Sequence, residues 1–514
     1  MKFAPADITR AFTALFKAVN ARASKTSLQR DGPPKPSSKT RFWGYGLGLA
    51  LIAALHPGQA RDLGLNLPDM GDPSAAVVSP TDETAIGAAF LARLRAQHKL
   101  IEDPEINDYV QYLGGRITAQ TNRGAAGFRF FVVADDSVNA FAAPGGLIGI
   151  HTGLFRVATT EGEMAAVLAH ETAHVTQRHL ARTFEAANQY SLPVAAALIS
   201  AALLSGANPD LAQASIAGLI AGQAQSQVNF TRENEQEADR VGLHILVAAG
   251  YDAHNMANGF QRLLDAVKRP GESPPEYLRT HPLTIYRIAQ AQDRASQLAR
   301  IPPEDDLPYQ LIRAKLKVLG ARKQDALTHY AAQPQGLAAA RYGLALAQIE
   351  NDQFADALAI LEELTRHDPE RAAYHLAAVA ALNRSGQPQA ALRRLRSALR
   401  LWPGSYPLSM LQARILITQR QDAEAVRILS RLAVERPNDP NVFKLSSLVK
   451  ERSGNVPGAY LDLARQHELV GRLEAAIQQL RLAQRLPNLD EPTAARIDAQ
   501  LERLERLQEA AKTS

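Results

Sequence analysis

The 514-residue sequence contains no cysteine. That excludes disulfides, a thiol nucleophile and any metal site built on thiolates. Long apolar runs are missing too. The nearest to one, Phe42–Leu55, has fourteen residues, against the roughly 20 that a helix needs to cross a bilayer. Chemistry that depends on several membrane spans is therefore disfavoured. Net charge is scarce once it is located. Nine of the 57 Lys/Arg and two of the 52 Asp/Glu lie in residues 1–41, which leaves 48 against 50 for the rest. A basic surface for nucleic acid is not indicated, because the excess sits in the leader.

What is present suits a folded chain, with 46% hydrophobic and 21% charged residues and length for two or three domains. Lys39 and Arg41 precede the short apolar run, and small residues follow in HPGQA. This reads as an export signal with a cut after Ala60, giving a periplasmic mature protein; an uncleaved anchor is the other reading. Residues 1–60 are thus assigned as extension and signal, 61–305 as a first domain and 306–514 as a second.

The chemistry concentrates in EGEMAAVLAHETAHVTQRHLAR. Thr160-x-x-Glu163 can open a helix as a capping box. His170 and His174 are four apart and share one helical face. Glu171 stands where a general base would take a proton from metal-activated water. The bland alternative is a solvated helix with chance histidines. RENEQEADRVG supplies the missing carboxylate. Glu235 fits a third ligand, and Asp239 fits an orienting partner for a ligand histidine. By itself that segment would pass for a charged helix face. His179 lies five residues beyond His174, off the ligand face.

Upstream, FRFFVVAD reads as a strand, and VNAFA-PGG-LIGIH as a hairpin turning at Pro-Gly-Gly. Between the two charged motifs, residues 191–227 are uncharged up to Pro209 and rich in Ala, Leu and Ile. Buried helices, a cover over the site or a membrane-touching surface are all open. His281, in RTHPLT, sits on a loop or helix boundary because Pro282 follows.

HETAH followed by EQEAD resembles the zinc metallopeptidases related to the CAAX prenyl endoprotease. VNAFAAPGGLIGIHTGL, AHVTQRHLAR and HPLT are similar to a bacterial periplasmic branch of that family that serves outer-membrane β-barrel assembly. The resemblance implies His170, His174 and Glu235 as ligands to one Zn2+ per subunit, with Glu171 as base. It implies an edge strand beside the zinc, for which Asn139, Ala140, Phe141 and Ala142 are the candidates to pair with substrate backbone; a purely structural hairpin is the alternative. His281 then has three readings: a surface or capping histidine, a fourth zinc ligand that holds the enzyme latent, or a donor to the oxyanion.

The C-terminal part repeats. Pro369, Pro403 and Pro437 are 34 apart, as are Ala357, Ala391, Ala425 and Ala459. That is the tetratricopeptide period, and stacked repeats form a curved surface for peptides or partner proteins. A degenerate copy lies at 321–330 and another pattern at 471–487. Arg393, Arg394, Arg396 and Arg400 sit on this array, as a solvated face or a site for an acidic patch.

The expected fold is mainly α: a helical metallopeptidase domain with a small sheet, then an α-solenoid. The expected function is a periplasmic zinc endopeptidase that degrades misassembled outer-membrane proteins. Its partners would be polypeptide substrates, β-barrel proteins and their assembly machinery, with peripheral membrane contact open. A chaperone or scaffold with secondary proteolysis is the rival reading.

Overall fold

The computed structural model describes residues 80–97, 99–186, 224–266, 276–303 and 305–512. The export-signal reading falls outside them, as does most of the 191–227 segment. No helix among the described residues is long and apolar enough to cross a membrane.

The first part of the chain runs α1 (Pro80–Ala96), α2 (Pro104–Thr118), β1 (Arg129–Val133), β2 (Ala140–Ala143), β3 (Leu147–His151), α3 (Leu154–Val157), α4 (Glu161–Thr176), α5 (His179–Ala186), α6 (Ala224–Ala248), α7 (His254–Ala266), α8 (Glu276–Thr280) and α9 (Ile285–Ser296). The expected hairpin is β2 and β3, paired antiparallel through Pro144-Gly145-Gly146. Gly145 and Gly146 take φ of 77° and 73°, which side chains with a Cβ resist. The FRFFVVAD strand is β1, and it pairs with β3 in parallel, giving the order β1-β3-β2. β2 is therefore an edge.

α4 is the centre of this part. Its capping box forms as expected: Glu163 N–H donates to Thr160 Oγ1 (3.2 Å), and Thr160 N–H donates to Glu163 Oε2 (3.3 Å). Met164 to Ala169 are all buried, so the helix is apolar almost all round, as a fully enclosed helix must be. It packs on α2, α6, α7 and β2. A close backbone approach occurs at Gly242 of α6, where a Cβ would stand 3.1 Å from the backbone of Ala169 and His170.

α10 (Leu307–Gly320) joins the two parts. Tyr309, Ile312 and Leu316 enter the core around α4, while Leu311, Ala314 and Val318 enter the next core. Asp306, just before α10, accepts from the Glu161 N–H at the start of α4 (2.6 Å).

Helix pairs then repeat. Their first helices begin at Ala338, Ala372, Tyr406 and Pro440, each 34 residues on from the last. Ala357, Ala391, Ala425 and Ala459 are buried in the second helices, and Pro369, Pro403 and Pro437 lie just beyond those helices. Leu473–Gln484 and Glu491–Lys512 close the array. It folds back onto the first part. Arg436 pairs with Asp108 (2.5 Å), Asn441 Nδ2 donates to Glu102 (3.1 Å), and Arg95 donates to the Leu469 carbonyl (3.1 Å). Arg394 is half-buried and paired with Glu362, whereas Arg393, Arg396 and Arg400 are exposed.

Candidate metal centre

α4 and α6 lie side by side, and that contact brings the two charged motifs together. His170 Nε2 and His174 Nε2 are 3.0 Å apart. Glu235 sets Oε1 3.3 Å from His174 Nε2 and Oε2 3.5 Å from His170 Nε2. Donors roughly 2.0–2.2 Å from a tetrahedral ion sit about 3.3 Å from one another, so the two imidazole nitrogens and the Glu235 carboxylate fit around a single small cation. His281 completes the group: one donor from each of His170, His174, Glu235 and His281 lies within 4.8 Å of the others.

Each ligand candidate is braced. Asp239 Oδ1 stands 3.1 Å from His170 Nδ1, the ring nitrogen turned away from the cluster. Arg287 of α9 grips Asp239 with two bonds of 2.7 Å and reaches Glu235 Oε2 with Nη1 at 2.8 Å. The same Nη1 donates to the Pro282 carbonyl (2.9 Å), which fixes the loop carrying His281. His281 points Nδ1 at Glu235 Oε1 (2.9 Å) and Nε2 at Glu171 Oε1 (3.5 Å). Tyr277 is fully buried with its ring 4.8 Å from that of His281.

Electrostatics separate the roles. Burial pulls the His170 imidazole down, but hydrogen bonds to Asp239 and Glu235 outweigh it and carry it up to about 9. Burial drives His174 down to about 3. It pushes Glu235 upward, yet the charge of His281 and bonds from three histidines hold that carboxyl well below its usual range. Glu171 is raised by burial. Both Glu171 oxygens are buried, and Oε1 lies 3.5 Å from His281 Nε2, so the carboxyl faces the ligand cluster. The arrangement can activate water and polarise a carbonyl.

Of the four residues considered for an edge, only two face outward. His151 N–H donates to Asn139 O (3.0 Å), so Asn139, Phe141 and Ala143 bond to β3, and Ala140 and Ala142 turn their N–H and C=O to the free edge. β2 packs against α4. Phe141 itself is a core residue, edge-on to Phe90 and Phe131.

Arg287, Tyr277, His179 and Glu237 were not singled out as part of the site from sequence. Arg287 had a faint signal, six residues after His281. His179 was discounted as a ligand, and it is not in the four-residue cluster, but its ring touches His174 from behind (Nδ1 to Nδ1, 2.8 Å).

Comparison with known proteins places the chain among its relatives. Residues 104–295 match the sequence model of Peptidase family M48, and residues 382–449 match that of a tetratricopeptide repeat. The chain is 36% identical over 470 residues to the putative beta-barrel assembly-enhancing protease of Vibrio cholerae serotype O1, covering 89% of this chain and 96% of that one. It is 34% identical over 475 residues to the beta-barrel assembly-enhancing protease of Escherichia coli (strain K12), covering 90% and 96%. A shorter match, 30% over 185 residues, is to the mitochondrial metalloendopeptidase OMA1 of Schizosaccharomyces pombe, covering 36% and 52%. A metallopeptidase fold of this kind, followed by helical repeats and shared with those bacterial relatives over nearly their whole length, means that the chain belongs to the beta-barrel assembly-enhancing proteases of peptidase family M48.

Proposed function

We propose that His170, His174 and Glu235 hold one Zn2+ per chain and that Glu171 is the general base for peptide-bond hydrolysis. The carrying observation is the spacing of the two imidazole Nε2 atoms and the Glu235 carboxylate oxygens, 3.0 to 3.5 Å, beside the buried Glu171 carboxyl. When bound, the ion supplies Lewis acidity to the scissile carbonyl and to the attacking water. Glu171 takes the water's proton and returns it to the leaving amine. Asp239 fixes the His170 ring, and Arg287 holds Asp239 and Glu235 in register. The substrate lies extended along β2, pairing with the backbone of Ala140 and Ala142. His281, against both Glu235 and Glu171, keeps the resting site closed; withdrawn, it is placed to donate to the oxyanion.

The relatives' names give the setting. Those names speak of beta-barrel assembly, which supports a reading in which the substrates are outer-membrane β-barrel proteins met in the periplasm and residues 306–514 present the surface that engages them or their assembly machinery. The repeat array also favours a second activity, support of barrel assembly without cleavage.

Metal analysis and cleavage of an unfolded β-barrel protein test this together. Glu171→Gln is expected to keep one zinc and lose cleavage by several orders of magnitude, while Glu235→Gln loses the metal. Cleavage by Glu171→Gln, or full zinc in Glu235→Gln, sinks the assignment. Retained assembly support in Glu171→Gln would separate the second activity from the first.

A further inference from the structure

His174 is braced by a relay that the sequence motifs do not announce. Its Nε2 faces the ligand cluster, so its Nδ1 needs a partner elsewhere. That partner is His179, with Nδ1 at 2.8 Å. The rings meet at 80°, nitrogen edge to nitrogen edge and not as a stack. On its far side His179 Nε2 stands 3.2 Å from Glu237 Oε2, and Arg182 Nη2 donates to the same oxygen at 2.7 Å.

The protons in this relay have one consistent arrangement. A ligand histidine must offer a bare Nε2, so its proton is on Nδ1. His174 Nδ1–H then donates to His179 Nδ1. His179 must therefore carry its own proton on Nε2, and that N–H donates to the Glu237 carboxylate. No atom in the chain is left with the wrong character. The chain direction makes the contact. Arg178, between α4 and α5, takes φ of 51°, a left-handed turn that folds His179 back beneath His174 instead of letting it continue along the helix. Arg178 is anchored there by Glu83 of α1 (3.0 Å).

We propose that His179 and Glu237 are positioning residues for the metal ligand His174. NEQEAD thereby carries three distinct duties on one helix: Glu235 as ligand, Asp239 behind His170 and Glu237 behind His179. The two ligand histidines are braced differently. One is backed directly by a carboxylate, the other through an intervening imidazole. Partners of this kind typically change metal affinity 10–100-fold when removed.

This rests on the ligand set proposed above, and the test separates the two. Zn2+ affinity is measured by competition with a chromophoric chelator on full-length protein carrying Glu171→Gln, which suppresses self-cleavage. His179→Leu keeps the bulk and removes the acceptor, and is expected to weaken zinc roughly 10–100-fold. His179→Asn places an amide oxygen near the lost Nδ1 and should recover most of that loss. Glu237→Gln should give a smaller drop, of a few-fold. The melting temperature of the metal-free proteins reports packing and should move little between the Leu and Asn variants. Equal zinc affinity in the Leu variant and the parent overturns the proposal. So does an equal loss in the Leu and Asn variants that tracks metal-free melting, because packing alone would then explain it. If the parent itself binds no zinc, it is the ligand set that fails.

Discussion

Gly242 shows how narrow the tolerance at the centre is. Glycine inside a helix costs about 1 kcal/mol relative to alanine, so replacing it should ordinarily stabilise. Here an added methyl would meet the Ala169 and His170 backbone at 3.1 Å, and backbone cannot rotate away. Gly242→Ala is expected to move α6 a few tenths of an ångström from α4 and to cost about 1–2 kcal/mol net. The donors on the two helices would separate by the same step, so zinc affinity should fall as well. A rise in melting temperature with zinc binding unchanged would contradict the packing argument. Thr160→Ala is a milder case. It removes half of the capping box and should cost about 1 kcal/mol by thermal melting, without touching a ligand.

At the level of elements, α4 was legible because its signals are local: a capping box and two histidines one turn apart. The hairpin was legible for the same reason, Pro-Gly-Gly between two β-rich runs. The parallel pairing of β1 with β3 was not, since no turn fixes it and it depends on three-dimensional packing. Arg287 and Tyr277 were nearly as silent, and Glu237 was hidden inside a motif already read for Glu235 and Asp239. Arg287 and Tyr277 reach the site from elements of their own, and an isolated charge or tyrosine has no period to betray it. The last helix pair has a pH-sensitive fastening. Glu468 accepts from Arg465 (2.9 Å) and from Arg503 of Glu491–Lys512 (2.8 Å). Burial raises its carboxyl, but bonds from Arg503 and Arg465 outweigh that and hold it below the usual range. A lowered folded value means stabilisation present above the unfolded pKa of about 4.3 and lost as pH falls through the folded one. Hydrogen exchange in Glu491–Lys512, corrected for intrinsic rates, should therefore quicken below about pH 4. Glu468→Gln should flatten that dependence; an identical pH profile in the variant would assign the effect elsewhere.

For the whole molecule, α10 decides where the chain can be cut. Tyr309 is buried against Phe155 of α3 and Tyr109 of α2 and donates to the Ala158 carbonyl (2.9 Å), and Arg313 donates to Phe155 O (2.7 Å). A chain ending after Gly320 keeps these contacts and should retain zinc. A chain ending after Asp306 loses Tyr309, Ile312 and Leu316 from the core, a cost of several kcal/mol, and should show no cooperative melting. Similar melting of the two truncations would mean that α10 belongs energetically to the repeats alone. The absence of cysteine gives the proposed ligand set a further meaning. His170 and Glu235 are 65 residues apart, so an ion held between them ties off a long loop in a protein that has no covalent tie of its own. By loop-closure arithmetic, a link over that span removes conformational freedom from the unfolded chain worth about 4 kcal/mol while it holds. The ion then acts as a removable cross-link as well as a reagent. A chelator should silence the enzyme and also shorten its lifetime against unfolding.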